Sequence, residues 1–124
     1  MVALFDVNGL KRINDVQGHL AGDELLKMTG EALRTEMHRI NEKVFRIGGD
    51  EFALICDAPS HFCDALVSHR TQNIANRLRQ AVGSDLVGLS VGVARLGETD
   101  HTRKAWLGLA DARMYADKGA RRRA

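Results

Sequence analysis

Asp50 and Glu51 stand side by side in the stretch "FRIGGDEFALI", immediately after Gly48 and Gly49 and between two apolar runs. A third carboxylate, Asp6, lies near the end of the opening run "MVALFDV". Carboxylates brought together repel, and such a cluster needs a cation to neutralise it. A small set of hard oxygen ligands suits Mg²⁺, which keeps several waters and shares its shell with substrate phosphates. The two glycines add room, because a backbone without Cβ atoms lets a bulky ligand lie close. Taken alone, Gly-Gly-Asp-Glu is also good turn chemistry, and a surface turn is its plainer account. Basic residues gather at the other end of the chain, as Lys118, Arg121, Arg122 and Arg123. Such a group suits phosphate, nucleic acid or a solvated tail, and charge alone does not choose among them.

The elements that must position these groups follow from spacing. Met1 to Val7 reads as a buried strand without a clean period of two, so both of its faces are expected to be covered. A turn and short helix follow, ending near Gly18. Leu25, Met28, Ala32, Leu33 and Met37 then recur at helical spacing and predict an amphipathic helix over 21–40. "KVFRI" and "EFALIC" predict two strands joined through Gly48, Gly49 and Asp50 as a hairpin, a turn that favours positive φ. A loop around Pro59 leads to a helix with Ile74, Leu78 and Val82 on one face. "LVGLSVGVARL" predicts another strand, and a closing helix carries Trp106, Leu109 and Tyr115. The order β-α-α-β-β-α-β-α implies an α+β fold, a ferredoxin-like, palm-like mixed sheet with helices packed on it. If the first strand pairs beside the hairpin, Asp6 meets Asp50 and Glu51 at one edge.

The 124 residues make one domain, 44% hydrophobic and 27% charged with a formal net charge of +2, an ordinary globular composition. No apolar run approaches the ~20 residues of a membrane span, and the start does not read as a signal peptide. Two cysteines, Cys56 and Cys63, are too few for a disulfide framework, so the chain reads as reduced and cytoplasmic, with no membrane contact by this segment. A chain that opens directly on a strand and stops in arginines reads as a piece excised from something longer, whose parent could be membrane-anchored and carry a sensory domain.

"DVNGLKRINDVQGHLAGDELL", "RIGGDEFALI", "LSVGVA" and "ADARMYADKGARRR" together, in that order, closely resemble the GGDEF family of diguanylate cyclases over 1–123. The resemblance implies a domain, 1–124, that condenses two GTP to cyclic di-GMP and pyrophosphate. Each 3′-hydroxyl attacks the α-phosphate of the other GTP, so two copies of the domain must face one another. It implies two Mg²⁺, with Mn²⁺ as a substitute, held by Asp6, the Val7 carbonyl, Asp50 and Glu51. Asp50 or Glu51 would assist deprotonation of the attacking hydroxyl. Asn14 and Asp23 match the guanine readers, whose amide and carboxylate suit the donors of that base. Lys118 and Arg122 match the pair that holds the triphosphate, Lys11 joins them, and Gly48 and Gly49 leave the substrate room. Without the motif, Asn14 and Asp23 would read as caps or turn residues and the basic pair as a solvated helix end. His19 matches the family's Gly-His step and by itself reads as a packing or hydrogen-bonding residue.

The chain also departs from the family. The helix that usually precedes the first strand is missing, Leu10 replaces a frequent phenylalanine, and Arg121 and Arg123 replace a glycine and an asparagine. At the product-inhibition site, "RINE" supplies Arg39 and Glu42 where the family has arginine and aspartate, with Arg77 as a second arginine; weak product feedback is expected. The 59–70 segment is longer than usual. Its His61, Cys63 and His69 lack a fourth zinc ligand at a standard spacing, and a polar loop accounts for them better. A catalytically silent nucleotide-binding module is the alternative function, although degenerate members lose signature residues that are all retained here. RNA binding ranks last, since it needs exposed strand aromatics and Phe45 and Phe52 read as core; no nucleic-acid partner is expected.

Overall fold

The structure, a computed structural model, describes residues 1–37, 43–57 and 64–123. Its elements are β1 (Val2–Asn8), α1 (Leu10–Gln17), α2 (His19–Glu36), β2 (Lys43–Gly48), β3 (Glu51–Ile55), α3 (Asp64–Val82), β4 (Gly88–Ala94), a 3-10 turn (Leu96–Glu98) and α4 (Arg103–Arg123). The expected order is therefore present, and the second helix begins two residues earlier than its spacing predicted.

The strands form one sheet in the order β2-β3-β1-β4. Every pairing is antiparallel, which corrects the mixed sheet expected from sequence. The reason lies in the crossovers. Each helical connection returns the chain to the same direction, so β1 runs with β2 and β3 runs with β4. Those like-directed strands are never neighbours, and β1 sits between two strands of opposite sense. The result is the ferredoxin-like arrangement, α+β, with helices on both faces.

β1 is the central strand, and its first six residues are buried, as the missing alternation implied. On one face Ala3, Phe5 and Val7 meet α2 and α3 through Leu25, Leu33, Val67, Ile74 and Leu78. Each fully buried aliphatic or aromatic side chain contributes ~1.5–3 kcal/mol. Thr29 and Thr71 are buried on the same helices, and each hydroxyl donates to the carbonyl four residues back, at 2.7 Å in both. On the other face Val2, Leu4, Ala53 and Ala94 pack against Ala110 and Met114 of α4.

α4 also clasps the outer edge of β4. Trp106 Nε1 donates to the Ala94 carbonyl (2.9 Å), Arg113 Nη1 donates to the Val93 carbonyl (2.7 Å), and Asp117 Oδ2 accepts from the Val91 amide (2.9 Å). These residues share one side of the helix and satisfy groups that an edge strand would otherwise leave open. Gly92 allows the close approach, since a Cβ there would run into the backbone at Ala110 and Met114.

One aromatic expectation is corrected. Phe45, expected in the core, is 48% exposed on the edge strand β2, whereas Phe52 is buried. Phe45 pairs with Ala53, which puts it on the α4 side of the sheet, and α4 lies over β4 and β1. Among the described residues no helix is long and apolar enough to cross a membrane.

Candidate active site

The hairpin and the central strand bring the signature carboxylates together. Asp6 on β1 is the cross-strand partner of Glu51 on β3, and the Val7 amide donates to the Asp50 carbonyl at 2.9 Å. In the turn, Gly49 takes φ 40° and Gly48 keeps a negative φ, so one glycine rather than two meets the positive-φ requirement. Arg46 Nη2 braces the turn by donating to the Gly49 carbonyl at 2.8 Å. Nothing lies within 4 Å of where a Cβ would project from Gly48 or Gly49, so the space over the turn is open.

The third side of the site comes from α4. Lys118 Nζ donates to Asp6 Oδ2 at 2.6 Å, linking groups 112 residues apart. Asp117, beside it, is the residue fastened to the Val91 amide, so the clasp along β4 fixes where Lys118 reaches. The electrostatics report a crowded acid cluster. Burial pushes the Asp6 carboxyl up from its usual 3.8, and the Asp50 charge adds to the rise against the opposing Lys118 hydrogen bond. Burial also pushes Glu51 up from 4.5, reinforced by the charges of Asp6 and Asp50.

These residues fit a divalent cation. Asp6 Oδ1 is buried with no hydrogen-bond partner, an arrangement that a hard cation would relieve. Among the described residues no three His, Cys, Asp or Glu groups converge to hold an ion by themselves. That suits an ion that takes one or two carboxylates and completes its shell with water and substrate phosphate oxygens.

Beside the cluster opens a cleft of about 850 Å³ whose walls include Val7, Asp50, Lys118 and the first turn of α1 with Lys11 and Arg12. Gly9 makes that turn possible: its φ is 84°, and a Cβ would lie 2.6 Å from the Leu86 carbonyl oxygen. Asn14 and Asp23 do not line this cleft. Asn14 lies at the junction of α1 and α2, its amide so close over Gly22 that a Cβ there would collide with its Oδ1, and Asp23 is the next residue along α2. Asp23 and His19 are exposed on the same helix.

Arg39 and Glu42 lie outside the described residues, as do Pro59, His61, Cys63 and the Arg122 side chain. His69 is exposed on α3, and Arg77 pairs with Glu36 at 3.0 Å. Three residues at the site escaped the sequence reading. Asn8 donates through Nδ2 to Ser90 Oγ at 2.9 Å, and its Oδ1 is buried without a partner. Asp117 and Arg79 also escaped it, the latter lining the cleft from α3. Asn8 sits two residues after Asp6 and so shares its face of the strand, a signal that was available.

The family described as "Diguanylate cyclase, GGDEF domain" matches residues 1–124. The chain is 34% identical over 117 residues to the probable diguanylate cyclase DgcI of Escherichia coli K12, covering 94% of this chain and 25% of that protein. It is 31% identical over 123 residues to the diguanylate cyclase DgcS of Shewanella oneidensis, covering 96% of this chain and 39% of the relative. The chain thus spans only a quarter to two fifths of these relatives. Among solved structures, the GGDEF domain of YfiN (TpbB) from Pseudomonas aeruginosa superposes with a TM-score of 0.77 at 30% identity, over 99% of this chain and 76% of that one. The GGDEF domain of DgcB from Caulobacter crescentus, solved in complex with c-di-GMP, gives 0.74 at 25% identity, over 96% and 71%.

Proposed function

The chain belongs to the GGDEF-domain family of diguanylate cyclases, and from that membership we propose that it condenses two GTP into cyclic di-GMP with release of pyrophosphate. The observation that carries this reading is the apposition of Asp6, Glu51 and Lys118 beside an open glycine turn and a cleft of nucleotide size. In each half-reaction a 3′-hydroxyl oxygen forms a bond to the α-phosphorus of the other GTP. The bond from that phosphorus to the oxygen bridging to the β-phosphate breaks, and pyrophosphate leaves. The hydroxyl proton passes to Asp50 or Glu51 and then to solvent.

Asp6, Asp50 and Glu51, with the Val7 carbonyl, would hold Mg²⁺ or Mn²⁺. The bound ions would stabilise charge on the attacking and leaving oxygens of an in-line displacement. Lys118, Arg122 and Lys11 hold the triphosphate, Gly48 and Gly49 admit it, and Asn14 with Asp23 reads guanine at the α1–α2 junction. Each domain carries one GTP, so a second copy must face the first. The alternative, a silent module that only binds GTP or cyclic di-GMP, has no observation of its own in its favour. Incubation with Mg²⁺ and either GTP or ATP, followed by chromatography of the products, distinguishes the two. We expect cyclic di-GMP from GTP and no cyclic product from ATP; nucleotide binding without turnover would favour the silent module.

A further inference from the structure

We propose that Arg79, on α3, is a further substrate-positioning residue that holds the terminal phosphate of the bound triphosphate; this inference rests on the cyclase reading. Arg79 lies in the last turn of its helix, half-buried, and lines the same cleft as Lys118, Asp50 and Val7. Asp15, Asp50 and Asp85 line the same cleft without pairing with its guanidinium. Nη1 donates to the neutral amide oxygen of Asn76 at 2.7 Å, and among the described residues Arg79 forms no ion pair. Arg77 on the same helix, by contrast, is bound to Glu36.

Gly88 marks where the guanidinium sits. It is buried at the start of β4 opposite Asn8, and a Cβ there would be 3.8 Å from Arg79 Nη2 and equally far from Asn8 Nδ2. The second nitrogen of the fork therefore lies over the ends of β1 and β4, two residues along β1 from Asp6. A planar fork of donors matches the oxygens of a phosphate group and can bind two of them at once. A triphosphate laid from the carboxylate cluster into this cleft would bring its last phosphate under a cation that forms no ion pair among the described residues. The competing explanation is a helix-end role, since a cation in the last turn complements the dipole of α3.

The test is calorimetric titration of the wild type, Arg79→Ala and Arg79→Lys with GMP and with a GTP analogue whose α,β-bridging oxygen is replaced by methylene, which cannot release pyrophosphate. Losing a charge-assisted hydrogen bond should weaken the triphosphate analogue roughly ten- to a hundred-fold in Arg79→Ala. GMP affinity should change less than about two-fold, a ratio within which a lost bond of that kind would not be hidden. Arg79→Lys should recover part of the loss. An Arg79→Ala variant that keeps the wild-type ratio between the two ligands would overturn the assignment. So would an equal loss for both ligands with a fall in melting temperature, which is the helix-end outcome. If the wild type binds neither ligand, the cyclase reading fails together with this inference.

Discussion

Asp6 shows how much of the site's character resides in single side chains. Its carboxyl and that of Glu51 hold protons more readily in the folded chain than in the unfolded one, chiefly through burial. By linkage, ionising them subtracts from stability, and the subtraction is absent below their usual values and complete above the raised ones. Asp6→Asn should therefore raise the melting temperature of the cation-free protein at neutral pH, with the gain shrinking as pH falls toward the ordinary carboxylate range. A melting series across pH checks it; a variant less stable at neutral pH would mean that the Lys118 contact outweighs the repulsion. Gly22 supports a second prediction. A methyl group there would displace the Asn14 amide, so Gly22→Ala should weaken GTP binding about ten-fold, the worth of one good hydrogen bond. Unchanged affinity would remove Asn14 from guanine recognition. At this scale the meeting of Asp6 with Glu51 was legible from residue type and spacing. Arg79 was not, because an arginine ending a helix is common and only the fold aims it inward; Asn8, two residues after Asp6, could have been found from the strand period.

At the scale of elements, hydrophobic spacing located the strands and helices to within a few residues, since periods of two and 3.6 are properties of the local chain. Pairing direction is not local. It depended on which strands became neighbours, and for that reason the sheet proved antiparallel throughout. The same limit explains Phe45: an aromatic in an apolar pattern reads as core, but burial depends on what covers it. The clasp of α4 on β4 was equally invisible, yet it sets Lys118 against Asp6. Gly92→Ala tests that dependence. The added methyl would meet backbone at Ala110 and Met114, which cannot rotate aside, and should cost about 3 kcal/mol. Denaturant unfolding measures the loss, and a cost below ~1 kcal/mol would show that α4 shifts freely.

For the whole molecule, the site occupies one end of the sheet, open to solvent beside the turn, so one nucleotide can be presented to another copy. Under the proposed mechanism specific activity should rise with protein concentration, because neither domain alone would hold both a nucleophile and its target phosphate. Activity independent of concentration, over a range where sedimentation shows a monomer, would contradict that requirement. The central claim is that the carboxylates of the turn perform chemistry rather than shape a turn. Formation of cyclic di-GMP from GTP and Mg²⁺ by the wild type, Asp50→Ala and Glu51→Ala, with melting temperatures recorded on the same samples, tests it most directly. Each variant should lose product at least roughly hundred-fold, within the range contributed by a general base, while stability changes by less than ~0.5 kcal/mol. Wild-type product formation by either variant, or a collapse of melting temperature in both, would contradict it.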